Sequence, residues 1–540
     1  MSTACKKLVN TVERCVDENL EGLVAVNPGL RLVEGHRVVV RTDINDAIAS
    51  GKVSLICGGG SGHEPAHAGF VGKGMLSGSV AGAVFTSPPP QSILACLRAV
   101  AKKNSGGTVV IIKNYTGDRI NFGLAVERAK HEGYKCDMVV VGEDCALKSS
   151  DKTAGRRGLC GTILIEKICG ALAEEGRSLE DIARIAKDAV TKMGTIGLSL
   201  SPCTIPGAGA TFTLGADEIE LGLGIHGEAG VKRTKLVTAN EAVRMMIDHM
   251  TDPNNNSRLE VKAGDKVACM INNLGGTSVL ELNIIAREAI LLLESRGVAV
   301  ERVYCGSFTT SLEMAGISIT LLHLDDTLRN CLDAETSAPG WVRPYLPCGE
   351  RTRTTPQKLV TEDSHTITTQ QAVKDTVSAE LNSKDNPLPV GNPAELAKRL
   401  GNIAEVSMGG SSGGLYSLFF TTVAGELQKE MSPLAWSSAL AAGVTTIRKY
   451  GGADPGDRTM LDALYPASEE LSSCLKANNS PLEAFKSAVQ KCTEGAKSTA
   501  TMKARAGRSS YVSQDRLTNP DPGAMAVTIW LSAVLDILSK

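Results

Sequence analysis

The chain has 540 residues, 42 % of them hydrophobic and 21 % charged, which is too long for one hydrophobic core, so two to four domains are expected. Its 57 Lys and Arg stand against 59 Asp and Glu, a formal net charge of -2 with no long basic run, which excludes electrostatic binding to nucleic acid. Aromatics at 4 % beside 55 glycines favour tight strand-to-helix corners over aromatic-lined pockets, the composition of a metabolic enzyme.

The N-terminus runs from Met1 into Leu8-Val9-Asn10 without an apolar core of signal-peptide length. Fifteen cysteines are scattered without a Cys-x-x-Cys pair and read as reduced thiols of a cytoplasmic protein. The late apolar segment Ala524 to Leu538 is short of a membrane span and contains Asp536, so no membrane partner is expected.

From about residue 8 to 335, short β-branched runs alternate with helical stretches. Arg37 to Val40, Val53 to Cys57, Val109 to Ile112 and Met138 to Val141 are apolar on nearly every residue, as strands buried on both faces must be. Helices are predicted over Ser92 to Lys103 and Asn121 to Glu132, giving an α/β fold whose ligands gather at the carboxyl ends of strands. The first such end is Cys57-Gly58-Gly59-Gly60-Ser61-Gly62-His63-Glu64-Pro65, where missing Cβ atoms let backbone N–H groups approach a ligand. No Gly-Lys-Ser/Thr follows, so it is not a Walker A loop. His63-Glu64-Pro65-Ala66-His67 matches the zinc-protease pattern, but Pro65 interrupts the helix that pattern needs, and a small polar ligand held by Ser61, Gly62 and His63 is the better reading. The second end is Lys113 to Asp118, an ammonium and a carboxylate just past a strand, with Asp118 also a candidate helix cap.

A second α/β segment opens near Met193. It holds Leu221 to Gly230, in which His226 is bracketed by Gly224 and Gly227, neighbours too small to bury its imidazole. Residues 336 to 393 are rich in Pro, Thr and Gly and read as a linker. Beyond them strand signals vanish, and helical spacing recurs in Glu395 to Met408, Leu415 to Glu430, Ala435 to Tyr450, Met460 to Lys476, Leu482 to Met502 and Ala524 to Leu538. Gly409 to Gly413 satisfies the hydrolase pattern Gly-x-Ser-x-Gly, but a helix and not a strand precedes it, so its glycines and hydroxyls suit an anion seat at a helix start. Asp454 to Met460 and Asn519 to Gly523 are further polar corners, and the three could line one nucleotide site.

Together these stretches resemble the dihydroxyacetone kinase family in its single-chain, ATP-dependent form, animal members above all. The resemblance is carried by Gly58 to Pro65, Lys113 to Asp118, Gly224 to Gly230, Gly409 to Gly413, Gly456 to Asp462 and Asp521 to Gly523, in that order. It implies a multidomain chain: a DhaK-like α/β unit of two subdomains, 1–193 and 194–335, a linker over 336–393, and a DhaL-like all-helical barrel over 394–540. It implies that His226 adds to the triose carbonyl as a hemiaminal, with His63 and Asp118 as further catalytic groups and Asp118 the base. Gly60, Ser61, Gly62, His63, Lys113 and Asp118 would bind dihydroxyacetone or glyceraldehyde. Ser411, Ser412, Gly451, Thr459, Met460, Asp521, Pro522 and Gly523 would hold ATP. The animal enzymes also cleave FAD into AMP and cyclic riboflavin 4',5'-phosphate, which implies Mg2+ for the kinase, Mn2+ or Co2+ for FAD cleavage, and a homodimer.

The family's ATP domain carries an Asp-x(4)-Asp-x-Asp cluster for its divalent ions. Between Gln371 and Gly410 the acids here are Asp375, Glu380, Asp385, Glu395 and Glu405, and none forms an Asp-x-Asp pair, so the metal ligands stay unassigned. The barrel lacks its first helices by this comparison, which predicts an exposed apolar face. It also leaves a second reading, a triose-binding or regulatory protein without kinase activity.

Overall fold

Alternate residues of a doubly buried strand enter different cores, and the two middle strands of the first sheet do this throughout. Leu55, Cys57, Val109 and Ile111 pack on one face, Ile56, Val110 and Ile112 on the other. The computed structural model describes residues 6–103, 105–146, 155–344, 377–379, 383, 387–408, 410–506 and 517–540. The chain divides into two compact units, Met1–Lys358 and Leu359–Lys540.

The first unit contains two six-stranded sheets. Sheet one is built from β1 (Leu30–Leu32), β2 (Val38–Arg41), β3 (Ser54–Ser61), β4 (Gly78–Val84), β5 (Thr108–Lys113) and β6 (Cys136–Val141), in the order β1-β2-β4-β3-β5-β6. Strands β4, β3, β5 and β6 run parallel, and β1 and β2 add an antiparallel edge. One face is covered by α2 (Ile44–Ala49), α3 (Pro90–Val100) and α4 (Thr116–His131), with Phe122 of α4 fully buried. The other is covered by α5 (Gly161–Glu174) and α6 (Leu179–Thr191), with α1 (Cys15–Val26) nearby.

Sheet two comprises β7 (Met193–Ser199), β10 (Glu218–Leu221), β11 (Lys232–Lys235), β12 (Lys266–Asn273), β13 (Ala299–Gly306) and β14 (Gly316–His323), ordered β11-β10-β7-β14-β12-β13. Only β12 and β13 are parallel neighbours, so this half is a mixed sheet. Its helices α7 (Ala239–Thr251) and α8 (Val279–Ser295) each begin with a capping box, Thr238 with Glu241 and Ser278 with Glu281. A two-stranded ribbon, β8 (Thr204–Ile205) and β9 (Gly209–Ala210), stands apart, and α9 (Asp326–Asp333) ends the alternation. The boundary drawn at residue 193 falls on the first residue of β7.

Two expectations shift. β3 continues through Gly58, Gly59 and Gly60 to Ser61, paired with β4, and the glycines permit this close pairing, since a Cβ at Gly58 would stand 2.2 Å from the Val80 carbonyl oxygen and one at Gly60 2.6 Å from the Thr86 nitrogen. The linker expected from residue 336 begins later, since Ala338 and Trp341 are buried in the first unit, Trp341 against Tyr304 with ring centroids 5.0 Å apart. An aromatic side chain of that size outweighs the Pro and Gly around it. The rest of that stretch lies largely outside the described residues.

The second unit is helical: α10 (Pro393–Ile403), a π-helical turn (Ala404–Met408), α11 (Gly410–Leu427), α12 (Pro433–Gly451), α13 (Leu461–Lys476), α14 (Pro481–Ser498) and α15 (Pro522–Leu538). Each starts two residues or fewer from where periodicity predicts, except α11, which begins five residues earlier at the glycine run. Ser432 and Ser480 cap α12 and α14, each followed by proline at the first helical position. An apolar cavity of about 610 Å³ opens among Phe419, Phe420, Trp436, Phe485 and Trp530, and Trp436 and Val534 at its edge are exposed. Among the described residues no helix is long and apolar enough to cross a membrane.

Candidate active site

The carboxyl ends of β3 and β5 bring the first group of expected residues together. Ser61 closes β3 by donating to the Gly82 carbonyl at 2.8 Å. Gly62 takes φ +98, a conformation that L side chains avoid, and turns the chain so that His63 leaves the sheet. His63 is buried. Its Nδ1 donates to the Thr310 carbonyl at 2.8 Å, and its ring stacks on Phe85 at 5.0 Å. His67 does not join it: the turn between them is no continuous helix, and His67 points to Lys113 and Glu166. The zinc-protease geometry is absent from this segment.

His226 arrives from sheet two, and its Nε2 lies 3.2 Å from His63 Nε2. The side chain is 25 % exposed, so a ligand can reach it. Its Nδ1 donates to Glu228 at 2.7 Å, and Tyr115 and Phe85 meet its ring edge-on at 4.8 and 5.2 Å. Gly224 serves a purpose that its sequence did not reveal. A Cβ there would sit 2.0 Å from Glu228 Oε2 and 2.6 Å from Arg157 Nη1, so the glycine makes room for the carboxylate that orients His226. Arg157 is itself held by Asp144 at 2.6 Å and by the Gly222 carbonyl at 2.8 Å.

Asp118 lies in the first turn of α4 but does not cap it. The N-cap is Tyr115, and Asp118 Oδ1 accepts from Ser87 Oγ at 2.6 Å. Lys113, the last residue of β5, is buried and donates to His67 Nε2 at 2.8 Å. A cavity of about 330 Å³ opens beside β3, lined by Gly59, Gly60, Ser61, Glu64 and His67; it touches neither His226 nor Asp118.

The electrostatics separate these groups. Burial, then the charge of His226, pushes His63 well below the ordinary histidine value, so it is neutral near pH 7. Burial raises Asp118, opposed first by the Ser87 hydrogen bond and then by the charge of Lys113. Burial alone would raise Glu228, but the hydrogen bond and charge of His226 bring it down to about 2.

In the helical unit, Thr459 and Met460 meet Asp521 to Gly523. Met460 Cβ is 3.5 Å from the place of a Cβ on Gly523, and Asp521 caps α15 by accepting from the Ala524 N–H at 3.0 Å. The tie between these corners is Arg458, which lies inside the Asp454 to Met460 stretch but was given no role there. Buried at φ +64, it donates to the Thr499 carbonyl at 3.1 Å and to the Asn519 carbonyl at 2.7 Å. Ser412 stands in the first turn of α11, and Gly451 ends α12 beside Leu415; the Ser411 side chain lies outside the described residues.

Comparison with known proteins follows the same division. Residues 21–340 match the Dak1 domain and residues 365–536 the DAK2 domain. Triokinase/FMN cyclase of Homo sapiens is 47 % identical over 576 aligned positions, covering 99 % of this chain and 100 % of that protein. Since the chain has 540 residues, gaps in it account for at least 36 of those positions. The native dihydroxyacetone kinase of C. freundii superposes with a TM-score of 0.72 at 32 % identity, over 99 % of this chain and 100 % of that one. The same enzyme has been solved with AMP-PNP and Mg2+ (TM-score 0.70, 32 % identity, over 99 % of this chain and 100 % of that one). With both domains matched in order and a full-length relative at this identity, the chain belongs to the dihydroxyacetone kinase family.

Proposed function

We propose that the chain phosphorylates dihydroxyacetone and glyceraldehyde with ATP through a hemiaminal on His226, and that it also cleaves FAD to AMP and cyclic riboflavin 4',5'-phosphate. The observation that carries this reading is the facing pair His63 and His226, in a chain that matches a triokinase/FMN cyclase from end to end. His63 Nδ1 faces a carbonyl oxygen and must carry its proton, so His63 Nε2 is bare. His226 Nδ1 faces a carboxylate and is likewise protonated. Two bare nitrogens 3.2 Å apart would repel, so one proton lies between them, its charge balanced by Glu228.

When a carbonyl approaches, His226 Nε2 releases that proton and adds its electron pair to the carbonyl carbon. The C=O π pair moves to the oxygen, which takes the proton and becomes a hydroxyl. Nδ1–H stays on Glu228, so the positive charge of the ring is unchanged and still balanced. His63, neutral at rest and stacked on Phe85, takes that proton on its bare Nε2 as His226 releases it and passes it to the oxygen, returning to the neutral form. A small triose makes few contacts, with a ceiling of about 1.5 kcal/mol per heavy atom even for the best small ligands, so a covalent bond fixes it where surface contact would not. Glycerol, lacking a carbonyl, is excluded. Asp118 then takes the proton of the hydroxyl that attacks the γ-phosphate, with Lys113 donating to the triose oxygens.

Mg2+ accompanies AMP-PNP in the C. freundii enzyme, but the described acids of this helical unit do not fit such an ion. Asp462 accepts from the Gly456 and Thr459 N–H groups, Asp457 from Asp454, Asp521 caps α15, and Glu405 accepts from Ser417. Asp375, Glu380 and Asp385 lie outside the described residues. Titration of each activity with Mg2+, Mn2+ and Co2+ identifies the ion it uses. The alternative of a triose-binding protein without transfer rests on the missing acidic cluster alone, and a match running through both domains does not favour it. We further assign a homodimer in the cytoplasm, to be checked by light scattering and cell fractionation; every cysteine among the described residues is a free thiol.

The test is a paired assay on the purified chain: intact mass after mixing with dihydroxyacetone, beside ADP release with ATP, and chromatographic detection of the cyclic flavin from FAD. An adduct with ADP release supports the kinase. An adduct without ADP release leaves a triose-binding protein.

A further inference from the structure

Behind the triose site, His67 takes no part in the chemistry above, yet its ring is held by three buried groups. Lys113 Nζ lies 2.8 Å from its Nε2, while Glu166 Oε1 lies 2.5 Å and Cys57 Sγ 3.3 Å from its Nδ1. An ammonium only donates and a carboxylate only accepts, so Nε2 is bare and Nδ1 carries the ring proton. Glu166 is fully buried on α5, and its Oε2 has no hydrogen-bond partner. A buried carboxylate is stabilised by a nearby positive charge, and Lys113 supplies one through the imidazole. The other titratable groups around the ammonium do not compete. Burial raises the Cys57 and Cys160 thiols and lowers His63, leaving all three neutral, and Asp118 is bonded to Ser87.

Cys57, His67 and Glu166 also have the spacing of metal ligands. A cation on Nδ1 would force the ring proton to Nε2, against Lys113, and would add a second positive charge to a buried site that already holds one. Metal and charged Lys113 therefore exclude each other. Among the described residues, Lys113 Nζ has His67 as its one hydrogen-bond partner, which leaves two of its three N–H groups for a ligand.

We propose that Glu166 and His67 are positioning residues for triose phosphorylation, a buried pair that holds the Lys113 ammonium in place so that its two remaining N–H groups serve the triose oxygens. This rests on the reading of Lys113 as a substrate-binding residue. Neither Glu166 nor His67 touches substrate in this arrangement, so their effect runs through Lys113 alone.

The test is steady-state kinetics on the full chain. Lys113→Met raises the KM for dihydroxyacetone. Glu166→Gln, which keeps shape and removes charge, raises the same KM about tenfold while leaving kcat and the KM for ATP near their original values. The double variant is no worse than Lys113→Met, because both act on one interaction. If Lys113→Met leaves KM unchanged, the role of Lys113 fails and the relay with it. If Lys113→Met is impaired while Glu166→Gln is not, or the two effects add, the relay alone is overturned. Should Glu166→Gln not fold, the unaltered chain decides: 15N spectra place His67 in the Nδ1–H tautomer, and an Nε2–H tautomer or a stoichiometric bound metal overturns the proposal.

Discussion

His63 Nε2 and His226 Nε2 stand 3.2 Å apart while the Nδ1 of each ring is already committed, one to the Thr310 carbonyl and the other to the Glu228 carboxylate. The two rings are therefore unequal, and substitution separates them. His226→Ala removes the attacking nitrogen and abolishes both triose adduct and turnover. His63→Ala keeps that nitrogen and removes the group that carries the proton, so the same adduct forms more slowly, by about 10² to 10⁴-fold. Time-resolved intact mass distinguishes the two, and an equal, complete loss of adduct in both variants contradicts this division of labour.

Asp118 must be ionised to act as a base, and burial raises it against the hydrogen bond from Ser87. Turnover therefore falls as pH drops through a value above the ordinary aspartate range. Ser87→Ala removes a bond that favours the carboxylate, which raises Asp118 further and moves the acid limb of the pH–rate profile to higher pH. Asp118→Asn keeps the adduct, loses the limb and lowers kcat by about 10² to 10⁴-fold. A limb that Ser87→Ala does not move belongs to some other group.

The α/β alternation and the helical second unit were legible because each depends on local pattern, doubly apolar strands and helical spacing, and the candidate residues His63 and His226 were picked out by the glycines beside them. What escaped depends on contacts distant in sequence. β3 runs through its glycines because β4 pairs with it as far as Ser61, close enough that Val80 and Thr86 leave no room for a Cβ, which no property of residues 58 to 60 announces. Glu166 sits in an apolar helix 99 positions from its partner His67, and Ser87 is 31 positions from Asp118. Glu228 was within reach, two residues after His226, where a turn at Gly227 with φ +86 brings a carboxylate back onto the ring. Trp341 was read as linker because its neighbours are proline and glycine, although its size argued for burial.

The crowding at Gly60 gives a paired test. A methyl at Gly60 would press on the backbone of Phe85 and Thr86 at 2.9 and 2.6 Å, whereas one at Gly59 meets nothing within 4 Å. Phe85 stacks on His63, and Ser87 holds Asp118, so displacing that turn disturbs both groups proposed to be catalytic. Gly60→Ala is expected to destabilise the first unit by about 1–3 kcal/mol and to raise the KM for triose, with Gly59→Ala close to neutral. Thermal denaturation beside kinetics measures both, and matching behaviour of the two variants would contradict the steric account.

Lys167 is fully buried on α5 and donates to the Cys331 carbonyl in the last turn of α9 at 2.6 Å. Burial lowers it from 10.5 to about 8, partly offset by the nearby Cys331 and Asp333. Between about 8 and 10.5 the unfolded chain keeps a proton that the folded unit has released, so stability contributed at this site rises with pH across that window. Below about 8 both states are protonated, and burying the charge costs about 3 kcal/mol. Lys167→Met should flatten the rise in denaturation midpoint across those pH values, and an unchanged slope would show that Lys167 is not its source.

Arg458 offers a way to disturb the nucleotide corners without touching the triose site. Its guanidinium reaches the Thr499 and Asn519 carbonyls, and Asp521 lies 3.9 Å away, so one side chain binds the segment before α13 to the segment before α15. Thr459 and Met460 follow it directly, and Asp521 to Gly523 begin α15, so two of the three expected nucleotide corners hang on this one residue. Lysine cannot serve both carbonyls with the planar fork of arginine, so Arg458→Lys loses at least one charged hydrogen bond, about 1.5–3 kcal/mol each. The KM for ATP should rise about tenfold or more while the dihydroxyacetone adduct on His226 forms as before. Adduct formation lost together with ATP affinity would mean that Arg458 supports the whole chain's folding; ATP affinity unchanged would mean that the two corners do not hold nucleotide.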